Sequence, residues 1–129
     1  YSIKKILFDR KVENRIYLLT RQSGVFVLEA GKSSLFFKDN KIDSYYSIEQ
    51  DNRGSVWIGS EKGAYMVNQQ GAVTSFNSEN GLSDNQVDEI FSDAEHNVWV
   101  SCFSDGIYKY EGDAYIRYDK FKGQNLSYP

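Results

Sequence analysis

Apolar and polar residues alternate along the chain in short segments that are separated by polar turns. In residues 50–67, an Asp opens a turn, a short apolar segment with a Trp follows, and a Gly loop leads into a second aromatic segment. Period-two alternation between turn residues predicts β-strands. The same order recurs 42 residues later, from Asp51 to Asp93, and once upstream in weaker form. A repeat of about 40 residues with strand content indicates a blade-repeat protein.

The three copies keep the pattern unequally. Equivalent residues of the second and third copies are Ile48 and Ile90, Asp51 and Asp93, Trp57 and Trp99, Gly63 and Gly106, Tyr65 and Tyr108, and Phe76 and Tyr118. Their counterparts in the first copy are Ile6, Asp9, Tyr17, Gly24, Phe26 and Phe37. The first copy has Tyr17 in place of Trp and a longer first turn, so it is the divergent copy.

Each copy is expected to form four strands of an antiparallel meander, which is the content of one propeller blade. The predicted strands are residues 1–9, 16–20, 25–29 and 34–37, then 47–50, 56–59, 64–68 and 73–76, then 87–91, 98–101, 107–111 and 115–118. At most one helical turn is expected at 83–86, where Ser83 and Gln86 resemble a capping box. The predicted fold is all-β, with blades at 1–45, 46–86 and 87–122 and a tail or link at 123–129.

Asp51 and Asp93 each open a turn, where an Asp side chain accepts hydrogen bonds from the backbone two residues on. A catalytic residue is needed once, so recurrence favours a turn role over catalysis. Gly54 is expected to take the positive φ at the end of the second copy's turn, and Asn97 is expected to take it in the third.

Each blade is a small sheet with two apolar faces, and a neighbouring blade must cover each face. The aromatic residues expected in the layer between blades are Trp57, Tyr65, Phe76, Trp99, Tyr108 and Tyr118. Propellers close with about 4 to 8 blades, so three copies cannot close a ring. The remaining blades are expected in the same polypeptide or in a second chain, which would give a homodimer.

Bulk composition narrows the class of partner. Charged residues make up 26% of the 129 residues and hydrophobic residues 40%, as in globular domains. The formal net charge of −3, with scattered Lys and Arg, argues against nucleic-acid binding. No segment approaches the roughly 20 apolar residues of a membrane span. The chain does not begin with Met, so we interpret it as a mature or truncated piece.

Cys102 is the single cysteine, which excludes an internal disulfide and a cysteine-based zinc cluster. It is expected as a partly exposed loop thiol. The single histidine, His96, lies in the turn beyond the other end of the same strand, too far away to activate the thiol. The acidic residues interpreted as a solvated edge rather than a metal site are Glu79, Asp84, Asp88 and Glu89. No catalytic residue, metal site or cofactor is predicted.

The third copy contains Val87-Asp-Glu-Ile90, Asp93, Asn97-Val-Trp99 and Asp105-Gly-Ile107, and residues 48–64 repeat this order more faithfully. The pattern V-x-x-I-x-x-D-x-x-G-x-x-W-x-G-x-x-x-G-[LI] resembles the two-component regulator propeller repeat. With the weaker first copy, the resemblance covers nearly the whole chain.

This resemblance implies a place in a larger protein. Such repeats typically build seven-bladed propellers in the extracytoplasmic, periplasmic part of bacterial sensor histidine kinases and hybrid two-component systems. Many of these proteins detect oligosaccharides and signal through a membrane helix to a cytoplasmic histidine kinase. The resemblance therefore implies a non-enzymatic ligand sensor.

A binding surface is predicted from blade topology. The loop after the second strand and the link between blades emerge on the same face of a four-stranded blade. These segments differ between copies while the framework is kept, as expected where scaffold loops carry specificity. Their side chains suit an oligosaccharide, which needs ring stacking and paired donors and acceptors. The candidate ligand-binding residues are Arg21, Gln22, Tyr45, Tyr46, Glu61, Lys62, Asn85, Gln86, Phe103 and Asp105.

Two alternative functions remain open. The leading alternative is a protein-interaction scaffold that uses the same repeat without a small ligand. The other is a propeller lyase or hydrolase, which would need an acid–base pair on the loop side of the blades. His96 is the only obvious candidate for such a pair, and it is expected on the opposite side.

Overall fold

The computed structural model describes residues 2–79, 82, 85–103, 106–111, 114–117, 120–121 and 124–125. Within these residues the backbone forms strands and turns and contains no helix. Of the helical turn expected at 83–86, Asn85 and Gln86 are not helical, and the first two positions lie outside the described residues.

Three four-stranded antiparallel sheets make up the described part of the chain, and the strands of each sheet follow one another in chain order. The first sheet contains β1 (Ile3–Phe8), β2 (Arg15–Thr20), β3 (Val25–Glu29) and β4 (Lys32–Phe37). The second contains β5 (Tyr45–Gln50), β6 (Val56–Ser60), β7 (Gly63–Val67) and β8 (Val73–Phe76). The third contains β9 (Val87–Ser92), β10 (Val98–Cys102), β11 (Ile107–Glu111) and β12 (Ala114–Arg117). The predicted all-β fold of three consecutive four-stranded blades is confirmed.

The strand prediction needs two kinds of correction, and the first is that several strand ends differ by one or two residues, as at the starts of β4 and β5. β4 begins two residues early, because Lys32 pairs with Glu29 directly across a tight turn. That turn consists of Ala30 and Gly31, both with positive φ (55° and 76°), as a two-residue hairpin requires. The second correction is a short hairpin of β13 (Lys120–Phe121) and β14 (Gln124–Asn125), partly within the predicted tail or link. Residues 118, 123 and 126–129 lie outside the described residues.

Two apolar clusters join the three blades. The first packs Tyr17 and Leu19 of the first blade against Ile48 and Ile58 of the second. The second cluster lies between the second and third blades and is centred on Trp57, which is fully buried.

Trp57 is held by aromatic contacts from both blades. Its ring stacks on Phe76 of the same blade at a centroid distance of 5.5 Å and meets Tyr110 of the next blade edge-on at 4.8 Å. Trp57 therefore occupies the inter-blade layer, as predicted. Its equivalent, Trp99, lies on the other side of the third blade from the second cluster, is partly exposed, and stacks on Phe91 at 6.5 Å.

The Asp turns explain why Asp and Trp recur together. One carboxylate oxygen of Asp51 accepts hydrogen bonds from the backbone N–H groups of Arg53 and Ser55, each at 3.0 Å. The other oxygen accepts the indole N–H of Trp57 at 2.9 Å. A single side chain therefore closes the turn and orients the ring that fills the inter-blade layer.

The other two blades use the same arrangement. Asp93 accepts a turn amide of Asn97 at 2.8 Å and the Trp99 indole at 2.8 Å. In the divergent first copy, Asp9 accepts the hydroxyl of Tyr17 at 2.8 Å, so Tyr supplies the donor that Trp supplies elsewhere. Burial and this hydrogen bond raise the pKa of Tyr17 to about 12. The turn role predicted for the recurring Asp is confirmed.

The positive φ of the third turn belongs to His96 (69°), not to Asn97 as predicted. The reason is the hydrogen-bond pattern of the turn. The N–H of Gly54 donates to the carbonyl of Asp51 at 3.1 Å, and the N–H of His96 donates to the carbonyl of Asp93 at the same distance. His96 is therefore the structural equivalent of Gly54, which has φ 92°.

Cys102 is fully buried, in contrast to the partly exposed loop thiol that was expected. β10 continues one residue further than predicted, and Cys102 pairs with Val87 across an irregularity in the ladder. Its side chain packs in the second apolar cluster. The residue therefore acts as a small core side chain.

The unequal burial of the two tryptophans gives a stability prediction. We expect Trp57→Phe to lower the free energy of unfolding by about 3 kcal/mol, because it leaves a cavity and removes the donor to a buried carboxylate. Trp99→Phe is the matched control and should cost about 1 kcal/mol, since that ring is partly exposed. Urea denaturation of both variants measures the difference, and equal losses would contradict the inter-blade role of Trp57.

A second prediction concerns acid stability. The hydrogen bond from the Trp99 indole, followed by that from the Asn97 amide, lowers the pKa of Asp93 from 3.8 to about 2. Because the folded-state value lies below the unfolded one, this carboxylate contributes stability that is present above pH 3.8 and is lost as pH falls to about 2. Asp93→Asn should flatten the pH dependence of the unfolding free energy in this range.

The control for that experiment is Trp99→Phe, which keeps the carboxylate but removes its strongest donor. In this variant the folded-state pKa of Asp93 lies closer to 3.8, so the acid loss of stability should begin at the same pH as in the parent but be smaller and end at a higher pH. Urea denaturation at closely spaced pH values follows both effects. If the unfolding free energy of the parent and of both variants changed with pH in the same way, Asp93 would not be the source of the acid loss of stability.

Candidate functional site

We define the loop face as the loops after the second strand of each blade together with the links between blades. Backbone hydrogen bonds bring these segments together. The N–H of Tyr45 donates to the carbonyl of Arg21 at 2.8 Å, and the N–H of Phe103 donates to the carbonyl of Gln86 at 2.9 Å. The N–H of Glu61 likewise donates to the carbonyl of Ser44 at 3.2 Å. Each loop therefore lies beside a link.

The ten predicted site residues differ in exposure. Those with exposed side chains are Arg21, Gln22, Lys62, Asn85 and Phe103. Those that are half-buried are Tyr46, Glu61 and Gln86. Tyr45 is fully buried, and Asp105 lies outside the described residues.

Tyr45 belongs to the packing between the first two blades. Its ring meets Phe37 edge-on at 6.5 Å, and its hydroxyl accepts the N–H of Asp39 at 3.1 Å. Burial raises the pKa of this phenol. Sequence reasoning placed Tyr45 in a link, whereas it is the first residue of β5, with its side chain in the first apolar cluster.

Two polar candidates hold the backbone of the loop face in place, and a third bonds to a neighbouring side chain. The carboxylate of Glu61 accepts the N–H of Asp43. The side-chain oxygen of Asn85 accepts the N–H of Ser78 at 2.8 Å. The amide of Gln86 donates to a carboxylate oxygen of the neighbouring Asp88 at 3.2 Å. The exposed groups left for a ligand are the side chains of Arg21, Gln22 and Lys62 and the ring of Phe103, which is 57% exposed.

The opposite face is formed by the turns that join the first strand to the second and the third strand to the fourth in each blade. We call it the turn face. Three cavities lined by described residues open here, of about 480, 250 and 440 Å³. The first lies between the second and third blades, the second between the first and second, and the third where the Asp turns of all three blades meet.

Arg10 ties the three Asp turns together. Its guanidinium donates to the carbonyl of Gln50 at 2.8 Å, to the carboxylate of Glu49 at 3.0 Å, and to the hydroxyl of Ser92 at 3.4 Å. The side chain of Gln50 accepts the N–H of Arg10 at 2.7 Å and donates to Asp9 at 3.1 Å. Burial acts to raise the pKa of Asp9, but the hydrogen bonds that it accepts outweigh burial and lower this pKa overall.

The largest of these three cavities, which we call the amide cleft, is lined by both polar and apolar residues. The polar lining residues are Asp51, Asn52, Arg53, Ser55, Asn68, Gln69, Gln70 and His96. The apolar lining residues are Met66, Val98 and Tyr110. Sequence reasoning missed this cleft, because its residues come from turns of two different blades. The available signal was the run Asn68-Gln-Gln70, which is rich in amides for a simple turn.

The described residues contain neither a cluster of metal ligands nor a membrane-spanning helix. Within them, no three His, Cys, Asp or Glu side chains gather as a metal site requires. Asp84 of the predicted acidic edge lies outside this part of the chain, and Glu89 accepts a hydrogen bond from Ser47 at 2.9 Å. No helix long and apolar enough to cross a membrane occurs in the described segments.

Sequence comparison identifies one part of the chain. Residues 41–62 match the sequence profile of the two component regulator propeller family. This segment runs from the first blade link through the Asp turn to the loop after β6. The predicted resemblance to that family is thereby confirmed. Comparison with curated protein sequences gave no significant match.

Solved structures share the fold. The extracellular domain of a hybrid two component system, BT3049 from B. thetaiotaomicron, superposes with a TM-score of 0.73 at 20% identity, over 95% of this chain and 18% of that one. The corresponding domain of BT4673 gives 0.69 at 18% identity, over 89% and 16%. An auxiliary nutrient binding protein from Bacteroides thetaiotaomicron gives 0.72 at 11% identity, over 96% and 32%. The chain therefore spans less than a third of each of these structures, and the matches show a shared propeller fold.

Proposed function

We propose that the chain is part of the periplasmic ligand-sensing propeller of a two-component regulator, which detects oligosaccharides and signals to a cytoplasmic histidine kinase. The observation that carries the proposal is the family match over residues 41–62, which contains a complete Asp turn and its Trp. The fold shared with the extracellular domains of BT3049 and BT4673 supports an extracytoplasmic location. In this proposal the segment binds a ligand and catalyses no reaction.

The proposal includes further blades beside this chain. Ile6 is 53% exposed, whereas its repeat equivalents Ile48 and Ile90 are fully buried against a preceding blade. Phe8 is 68% exposed on the same face of β1. A preceding blade, from the same polypeptide or from a second copy, would bury this face. We propose a closed ring built in this way, with seven blades as the family resemblance implies.

The proposed ligand site is on the loop face. The exposed Phe103 ring offers a stacking surface, and Arg21, Gln22 and Lys62 supply hydrogen-bond donors around the loops. The exposure of Phe103 also suits a protein partner, since aromatic and Arg side chains dominate binding energy at protein interfaces. An interaction scaffold is therefore the second candidate function.

Binding measurements on two loop-face variants test the proposal. We expect Arg21→Ala and Phe103→Ala each to weaken oligosaccharide binding at least tenfold. The first removes a charged hydrogen-bond donor, and the second removes the stacking surface. Isothermal titration calorimetry against a panel of oligosaccharides gives the affinities. Lys32→Ala is the control, since Lys32 is exposed at the start of β4 and lies away from the loop face. Parent-like affinity in both loop-face variants would rule out this site.

A further inference from the structure

The amide cleft offers hydrogen-bond donors to a ligand. Within the part of the chain that the structure describes, the guanidinium of Arg53 makes no hydrogen bond or ion pair. The side-chain oxygen of Asn68 already accepts the N–H groups of Gln70 and Ala72, each at 2.9 Å, which leaves its NH₂ group as the part able to contact a ligand. The cleft therefore presents a charged guanidinium beside an amide donor.

The cleft is also lined by one carboxylate, that of Asp51, which is already hydrogen-bonded. Asp51 is 7% exposed, and its two oxygens accept the N–H groups of Arg53, Ser55 and Trp57 at 2.9–3.0 Å. Both of its oxygens are therefore already engaged within the turn. On the other side of the cleft, His96 contributes an exposed imidazole. The polar lining residues thus favour a ligand that is rich in acceptors and carries a negative charge.

The cleft also has an apolar part. The ring of Tyr110, which lines the cleft, packs edge-on against Trp57 at 4.8 Å and against Phe76 at 5.4 Å. Met66 of the second blade also lines the cleft. A volume of about 480 Å³ is in the range of small-molecule sites. A ligand here would need one apolar face as well as its acceptors.

We propose that the amide cleft binds an acidic sugar, a saccharide that carries a carboxylate. The carboxylate pairs with Arg53, the hydroxyl groups exchange hydrogen bonds with the amides that line the cleft, and the C–H face of the ring lies on Tyr110 and Met66. This site is separate from the loop face and does not depend on the site proposed there. A ligand in the cleft touches the second and third blades at once, because Arg53 and His96 belong to different blades.

The test begins with a glycan array that carries uronic-acid and sialic-acid oligosaccharides beside carboxyl-reduced forms of the same sugars. We expect the acidic forms to bind at least tenfold more tightly than the reduced forms. Absence of binding to every acidic glycan would overturn the proposal, and so would equal binding of acidic and reduced forms. Binding of acidic peptides in place of acidic glycans would also overturn it.

Variants then locate the site, using calorimetry with the acidic glycan that the array selects. Arg53→Gln should weaken binding at least tenfold, and Arg53→Lys should recover only part of the loss, because Lys keeps the charge but not the bidentate geometry. The exposed position of Arg53 makes both variants compatible with folding. Lys32→Ala, at an exposed residue that lines neither the cleft nor the loop face, should leave this binding unchanged. Parent-like affinity in Arg53→Gln, or loss of this binding in Lys32→Ala, would overturn the assignment to the cleft.

Discussion

The structure depends on a carboxylate that serves two sets of donors at once. In each blade, one oxygen of the turn Asp accepts backbone N–H groups and the other accepts an aromatic donor from the second strand. The first set closes the turn, and the second fixes a ring in the layer between blades. Asn could not replace Asp, because its amide nitrogen donates where an acceptor is needed. Asp and its aromatic partner therefore recur as a pair.

Blade stacking follows from this local arrangement. Once the Asp51 carboxylate orients Trp57, the indole is stacked on Phe76 and meets the edge of Tyr110 from the next blade. Apolar packing therefore joins the faces of the blades, while polar contacts join their turns. Arg10 provides such contacts to the second and third blades. Because each layer uses the same positions, the stack can be extended by adding copies.

The repeat explains what the sequence could predict. The recurrence of Asp51, Trp57 and their equivalents predicted the repeat length, the strand positions and the role of Asp in the turn. Each of these features is local and recurs in every blade. The burial of Cys102 could not be read from the sequence, because it depends on one extra residue of ladder pairing in β10. The buried position of Tyr45 depends in the same way on where β5 begins. The amide cleft could not be predicted because Arg53 and His96 approach each other only when two blades stack.

The turn face can vary chemically because the recurring Asp faces inward. Both oxygens of Asp51 are used within its own blade, and the side chains at positions 52–54 take no part in these bonds, so they can change. The third turn shows such a change, since His96 stands where the second has Gly54 and adopts φ 69°. A left-handed conformation costs an L-residue about 1–2 kcal/mol, and Gly would avoid that cost. His96 bears this cost as the turn residue equivalent to Gly54, as Asn14 and Ala30 do in other turns, and its side chain lines the amide cleft.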